Sequence, residues 1–595
     1  KGKYVSRTFG WDCHGLPVEN EMEKELGISS RHEIEEYGVA RFNEACRSIV
    51  LRYTEEWKEL VERIGRWVDF KHGYKTMDRD YMESIWWVFK RLWDKDLIYE
   101  GHKILPYCPR CATPLSNFEA NQGYEEVQDP SITVRFQSAE NPNLYYLAWT
   151  TTPWTLPSNL GLAVGPDLEY VHVHDPQDGS EYIMAAECLE QYYGKEKPEI
   201  VTRLKGRELI GRHYKPLMPF FKDQGEQGAF RIVGADFVTT ESGTGVVHLA
   251  PGFGEDDAAI GQEHGLPVVC PVDEECRFTE EVPDYEGENV KDTDKAIIKR
   301  LQDEGKLVHR STYQHSYPHC WRCETHLIYR AVSTWFVRVE QIKDRMLAAN
   351  QEIHWVPEHL RDGRFGRWLE NAHDWAVSRN RYWGCPLPVW RDPETGESVC
   401  VGSVAELEEL TGQTVEDIHK HYVDELEIPS KEDSGKKLQR VPEVLDCWFE
   451  SGSMPYAEHH YPFENKEFVE NNFPADFIAE GLDQTRGWFY TLVVIAAALF
   501  DKPPFKNVVV NGLVLAEDGK KMSKRLKNYP SPTKIMNEYG ADALRLTLLD
   551  SPVVRAEDLR FSEQTVRELM RSIILPLWNA YSFLVTYARV DGWEP

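Results

Sequence analysis

Cys108-Pro109-Arg110-Cys111 and Cys320-Trp321-Arg322-Cys323 are two C-x-x-C knuckles, with residues 112 to 319 lying between them. Each knuckle presents two thiolates from a tight turn, and two knuckles together complete a tetrahedral four-cysteine zinc site. If they share one ion, the chain between them is an excursion whose two ends meet at a point. His315, His319 and His326 stand near enough in sequence to replace a ligand, and unrelated core or redox cysteines are the plain alternative. Twelve cysteines in 595 residues, four of them spaced this way, suit a reducing cytoplasm with a metal site better than disulfides. Cys385 and Cys400 lack a C-x-x-C partner, so no metal is assigned to them.

The sequence outside the excursion alternates helix and short strand, the pattern of an α/β layer. Tyr4–Asp12 reads as a strand entering a Gly-punctuated turn, followed by apolar spacings of three to five from Ile34 to Trp67 that predict a long helical stretch. Met82, Ile85, Phe89 and Leu92 mark another helix. Far downstream, Phe477–Gly481 reads as a strand end, Gln484–Phe500 as an apolar helix and Val508–Leu515 as a buried strand. From Tyr107 to about Val308 the chain is instead rich in Pro, Gly and short β runs, among them Leu144–Thr152, Tyr170–His174, Tyr182–Ala185 and Gly245–Leu249. Residues 334–347 and 360–376 read as helical, and 400–440 as a charged, helical surface excursion. One α/β domain split by a large β-rich insertion is the expectation. No apolar run is long enough to span a bilayer, so a soluble protein without membrane contact is expected.

The net charge is −30, which argues against a surface coated for nucleic acid. Against that field, Lys520–Lys527 holds five basic residues and no acidic one, around Lys521-Met522-Ser523-Lys524. Lysines on a loop after a buried strand are well placed to hold phosphates, although a solvated surface loop accounts for the run equally well. Glu480-Gly481-Leu482-Asp483-Gln484 falls where a strand ends and a helix begins, the crevice where open α/β sheets bind ligands. A carboxylate there suits an ammonium or ribose hydroxyls, with Trp448 and Trp488 as apolar walls; a helix start capped by acid explains it as readily.

Inside the insertion, Trp149–Pro157 carries three consecutive threonines, and Gly243–His248 with Pro251–Asp257 adds an imidazole and a carboxylate cluster. Hydroxyls, an imidazole and a carboxylate can orient a water for ester hydrolysis. No Ser or Cys has a nucleophile-elbow setting, so direct water attack fits better than a covalent intermediate. On residue types alone, a strand end and a turn remain the better account.

Together these motifs resemble the class I aminoacyl-tRNA synthetases, from Lys1 to Pro595 and in family order. Gly10–Glu19 (GWDCHGLPVE) looks like the isoleucine-specific form of its motif, Asp446–Ser453 (DCWFESGS) is similar to DVWFDSGS, and Lys521–Lys524 matches KMSK. The resemblance implies ATP-dependent activation of isoleucine, transfer to tRNA(Ile), and hydrolytic editing of mischarged Val-tRNA(Ile), by a monomer using Zn2+ and ATP with Mg2+. Lys521 and Lys524 would neutralise the triphosphate. Asp12 would hold the amino group, Trp448 and Trp488 the aliphatic side chain, and Glu480, Gly481, Asp483 and Gln484 the adenylate. Thr151, Thr152 and His248 would shape the editing site, with Asp257 gripping the α-amino group, which reverses the plainer account of those loops.

The resemblance further implies residues 1–107 as the first part of a Rossmann-type catalytic domain. Residues 108–140 and 311–335 would be two halves of a zinc-binding stem, and 141–310 an inserted editing domain. A connective helical and loop region (336–440) would follow, then the second catalytic part with the KMSK loop (441–529), a stem-contact region (530–561) and the start of a helical anticodon-binding domain (562–595). The family's HIGH motif is expected ahead of Lys1 and most of the helical domain after Pro595. The chain therefore reads as a fragment expected to deacylate Val-tRNA without forming adenylate. Valine- or leucine-specific relatives, or a non-catalytic tRNA-binding derivative, are the rivals; a Rossmann dehydrogenase is disfavoured because no G-x-G-x-x-G opens a helix.

Overall fold

The structure, a computed structural model, describes residues 5–52, 54–176, 179–194, 198–433, 435–522 and 528–593. Two compact units emerge: residues 1–28, 32–99 and 336–595 form one, and residues 29–31 and 100–335 the other.

The first unit is built on three parallel strands in the order His354–Val356, Asn507–Asn511, Ile478–Gly481. Val508 and Val510 are fully buried in the middle strand, as expected of a parallel strand covered on both faces. The helix Trp488–Phe500 buries every residue from Phe489 to Ala498. Trp355 from the first strand meets Phe489 of that helix edge-on at 6.1 Å. Phe89, on the helix Arg79–Asp94, meets Phe449, on the helix Cys447–Gly452, at 6.1 Å. The latter helix starts where it does because Asp446 accepts the backbone N–H of Trp448 at 3.1 Å, a side-chain N-cap.

Several predicted elements are broken. The long helical stretch becomes Arg31–Tyr37, Val39–Val50 and Thr54–Arg63, the first break falling at Gly38 with φ 99°. Residues 5–12 make only the single-residue bridges Thr8–Asp69 and Trp11–Lys75 rather than a strand. Val508–Leu515 splits into Asn507–Asn511 and Val514–Leu515 around Gly512, where a Cβ would lie 1.9 Å from the carbonyl oxygen of Glu557. Residues 334–337 end the strand Ile328–Val337 instead of opening a helix. Residues 400–440 differ most from expectation. Among the described residues only Val404–Thr411 and Lys420–Val423 are helical there, and the strands Val389–Arg391, Ser398–Cys400, Ile428–Pro429 and Lys437–Arg440 form a four-stranded sheet. Its charges are partly internal: buried Arg440 and Lys420 both pair with Asp424, so the charge count was no guide to exposure.

The second unit holds a six-stranded sheet in the order 307–318, 124–137, 144–150, 181–185, 169–174, 199–205. A smaller sheet, ordered Val246–Leu249, Gly161–Val164, Arg231–Gly234, lies beside it. The predicted β runs at 144, 170, 182 and 245 all appear as strands, each within two residues of expectation. Tyr146, Tyr170, Tyr182 and Trp154 are buried in one continuous core with Leu160, Leu162 and Phe253.

Candidate functional site

In the first unit, Glu480 and Gly481 end the strand Ile478–Gly481, paired with Val510 and Asn511 of the neighbouring parallel strand. They stand at the carboxyl edge of the sheet, where a ligand crevice belongs. The chain then turns through a 3-10 segment, Leu482–Arg486, before the helix at Trp488. Gln484 ties this turn together: its Oε1 accepts the N–H of Trp488 at 3.0 Å and its amide donates to Asp483 at 3.1 Å. Trp488 Nε1 donates to the carbonyl of Ser451 at 2.9 Å, and the Ser451 hydroxyl lies 2.8 Å from the Cys447 carbonyl and 3.2 Å from Asp12 Oδ2. Trp448 lies over Gly487, where a Cβ would come within 3.3 Å of its ring. Asp12, Trp448, Asp483, Gln484 and Trp488, chosen from three separate motifs, thus share one set of contacts.

Lys521 forms an antiparallel bridge with Leu515, its side chain exposed, and its carbonyl accepts from Asn528 at 3.0 Å. Met522 packs against the apolar cluster of Ile535, Met536 and Leu544. Lys524, with Ser523, lies outside the described residues.

In the second unit the threonine run forms a hydroxyl relay. Thr152 Oγ1 is 3.2 Å from both Thr150 Oγ1 and Thr155 Oγ1, and Thr155 Oγ1 is 3.1 Å from His248 Nε2. Thr155 donates to the Thr152 carbonyl at 2.8 Å, so its bond to His248 requires the imidazole hydrogen on Nε2. Nδ1 is then bare, and it is buried without a hydrogen-bond partner. Burial pushes His248 down to about 4, so the ring is neutral at physiological pH. Thr151 sits half-buried at the bend beside this relay.

Asp257, in the first turn of the helix Glu255–His264, reaches back to accept the N–H of Ala250 at 2.8 Å. Burial raises its carboxyl to about 6, against the stabilising amide bond. The two loops meet where Phe253 packs edge-on against Trp154, ring centroids 5.1 Å apart. Asp294 was missed by sequence reasoning. It is buried, accepts the N–H of Trp154 at 3.0 Å, and burial raises it to about 7. No motif surrounds it, and 140 residues separate it from the turn it holds.

Cys108, Cys111, Cys320 and Cys323 converge, all four sulfurs lying within 4.8 Å of one another. Cys323 Sγ is 3.4 Å from Cys108 Sγ and 3.7 Å from Cys111 Sγ. Hydrogen bonding from Cys108 and then Cys111 pulls the Cys320 and Cys323 thiols below their usual range. The rings of His319 and His326 lie 4.3 Å apart, tilted by 45°, and neither belongs to this four-sulfur group. Asp80, Glu83 and His460 form the other group with possible metal geometry among the described residues. There Glu83 is engaged by His460 at 2.8 Å and by the N–H of Val404 at 2.8 Å, hydrogen bonds that account for its burial.

Over its whole length the chain is 58% identical to a protein of Treponema denticola named isoleucine–tRNA ligase, covering 57% of that relative. Relatives of the same name from Protochlamydia amoebophila and Bdellovibrio bacteriovorus are 59% and 58% identical, with 57% and 56% of their lengths covered. The chain thus spans little more than half the length of the curated relatives it matches. The family described as "tRNA synthetases class I (I, L, M and V)" matches residues 1–560. With that family model matching residues 1–560, the chain belongs to the class I tRNA synthetases of the isoleucine, leucine, methionine and valine group.

Proposed function

We propose that this chain is part of an isoleucine–tRNA ligase that activates isoleucine with ATP, transfers it to tRNA(Ile), and hydrolyses Val-tRNA(Ile). The observation that carries the reading is whole-chain identity of 56–59% to proteins of that name. The Rossmann-type crevice supplies the activation site. Asp12, oriented by Ser451, holds the substrate ammonium; Trp448 and Trp488 wall the aliphatic side chain; Glu480, Gly481, Asp483 and Gln484 hold the adenylate. Lys521 and Lys524 neutralise the triphosphate, accompanied by magnesium. Positioning and charge stabilisation carry this chemistry, because the carboxylate of the amino acid itself attacks the α-phosphate.

A missing methylene in an apolar pocket is worth only about 1–3 kcal/mol, a limit whose worked example is isoleucine against valine in this enzyme family. A second, hydrolytic site repairs the leak. Thr151, Thr152 and the neutral His248 shape it, and Asp257 grips the α-amino group as a carboxylate. Zinc at the four cysteines clips the ends of this inserted domain. The observed sulfur separations of 3.4 and 3.7 Å fit it: four Zn–S bonds of about 2.3 Å set tetrahedral S···S distances near ~3.8 Å.

Two assays test the reading. The full-length protein is expected to adenylate isoleucine in preference to valine and leucine. The 595-residue chain is expected to deacylate Val-tRNA(Ile) and spare Ile-tRNA(Ile). A preference for valine or leucine in the first assay, or equal hydrolysis of both tRNAs in the second, would overturn it.

A further inference from the structure

A chain of hydrogen bonds crosses the first unit and ends on the helix Cys447–Gly452. Asp417 Oδ1 lies 2.5 Å from His419 Nδ1, His419 Nε2 lies 3.0 Å from His14 Nε2, and His14 Nδ1 lies 2.7 Å from Glu450 Oε2. The side chains of His14, His419 and Glu450 are 0–1% exposed. Three hydrogen bonds need three protons. Both ends are carboxylates, which only accept when ionised, and two neutral imidazoles supply two protons.

The competing arrangement uses two. Arg47 Nη2, 3.2 Å from His419 Nδ1, would donate there, and each histidine would then donate toward Glu450. That leaves the Asp417 oxygen facing a bare nitrogen at 2.5 Å, a contact two acceptors cannot hold. Arg47 donates to Asp417 Oδ2 at 2.6 Å in either arrangement. With Arg47 the three-proton chain is electrically neutral, whereas the two-proton chain buries a net negative charge.

We infer that this chain holds one shared proton beyond two neutral imidazoles, carried as an imidazolium at His14 against Glu450, and that it positions the helix Cys447–Gly452. The free-solution order of basicity, imidazole about two units above carboxylate, puts the proton on the ring rather than on Glu450. Burial pushes His419 down to about 4, which likewise keeps that ring neutral. Other groups facing the chain are Asp78, Tyr81, Cys385 and His421. Tyr81 donates to the Glu450 carbonyl at 3.0 Å, the N–H of Cys385 donates to Glu450 Oε1 at 3.0 Å, and His421 lies 6.4 Å from His419. Asp78 feels the charge of His14, which lowers it, although burial raises it more.

The helix so held carries Trp448 and Ser451; the Ser451 carbonyl accepts from Trp488, and its hydroxyl lies 3.2 Å from Asp12. If the proton leaves, one of the three contacts is left with two acceptors facing each other, and the chain that holds the helix must rearrange. His14, His419 and Glu450 are therefore positioning residues. Their relevance to isoleucine rests on the function proposed above, whereas the proton count does not.

Nitrogen-15 NMR of the 595-residue chain, with histidine and tryptophan labelled, tests both parts without an activity assay. Glu450→Gln is the decisive variant. Its amide can donate to His14 Nδ1 while its carbonyl still accepts from Cys385, so all three bonds form with two neutral rings. In the wild type both His14 ring nitrogens should be protonated at pH 7, with His419 protonated only on Nδ1. In the variant His14 Nδ1 should lose its proton. Two neutral rings in the wild type at pH 7 would overturn the shared proton. As the wild type is titrated upward, the Trp488 indole resonance should shift together with His14, and the variant should show no such shift. A Trp488 signal that stays still while His14 loses its proton would overturn the positioning role.

Discussion

The backbone N–H of Ala250 donates to Oδ2 of Asp257 at 2.8 Å, tying the carboxylate to a chain position two residues beyond His248. Burial is the larger effect and raises this carboxyl to about 6. If Asp257 grips the ammonium of a mischarged valine, it must be ionised to do so. Hydrolysis of Val-tRNA(Ile) should therefore fall as pH drops through about 6, and Asp257→Asn should be slow at every pH. Initial rates of deacylation from pH 5 to 8 check this; a variant that retains the wild-type rate and acid limb removes Asp257 from the role. The sign for stability is opposite. A carboxyl raised in the fold binds its proton more tightly there, so its contribution weakens as pH rises from the unfolded value toward 6.

One zinc ion should bind per chain at Cys108, Cys111, Cys320 and Cys323. Cys323→Ser should lose it, because a hydroxyl does not replace a thiolate ligand. Elemental analysis of the purified protein gives the stoichiometry. The melting transition of the variant should fall and respond no further to a chelator, whereas the wild type should fall on chelation.

Arg381 is buried between two carboxylates, Glu19 and Glu23, bonding Glu23 at 2.5 Å. Glu19 also accepts the N–H groups of Tyr382 and Trp383 at 3.0 and 2.6 Å. Arg381→Ala leaves both carboxylates buried without their cation, a loss of about 3–5 kcal/mol. Denaturant unfolding should show it as a lower midpoint for the transition of the first unit. A change below about 1 kcal/mol would mean water reaches the pair.

Gly512 separates two strands because the backbone of Glu557 approaches it, leaving 1.9 Å for a Cβ. Gly512→Ala must push backbone apart, at a cost of about 1–3 kcal/mol. Gly396, where a Cβ meets nothing within 4 Å, has φ 79°, so Gly396→Ala tests left-handed strain without crowding. The first variant should be destabilised by more than the second, as read from their unfolding midpoints.

Local pattern made much of this molecule legible. The spacing of Cys108, Cys111, Cys320 and Cys323 announced a four-sulfur group, and the fold brings those sulfurs together. The short β runs of the excursion became strands, and the apolar run after Gly487 became a buried helix. Residue chemistry in motif order pointed to the synthetase family, which the match over residues 1–560 bears out. These signals are short-range: periodicity, knuckle spacing and turn chemistry are written within a few residues.

What the sequence hid depends on partners far away along the chain. Gly512 looked like part of a strand, and it breaks there because of Glu557. The charged run at 400–440 looked like solvated helix, yet Lys420 and Arg440 are buried, each paired with Asp424. His419 from that run meets His14 across 405 positions, and His14 meets Glu450 across 436. A residue's type records which bonds it is able to make. Which bond it does make, and hence its proton and its charge, is set by the group that folding places opposite it.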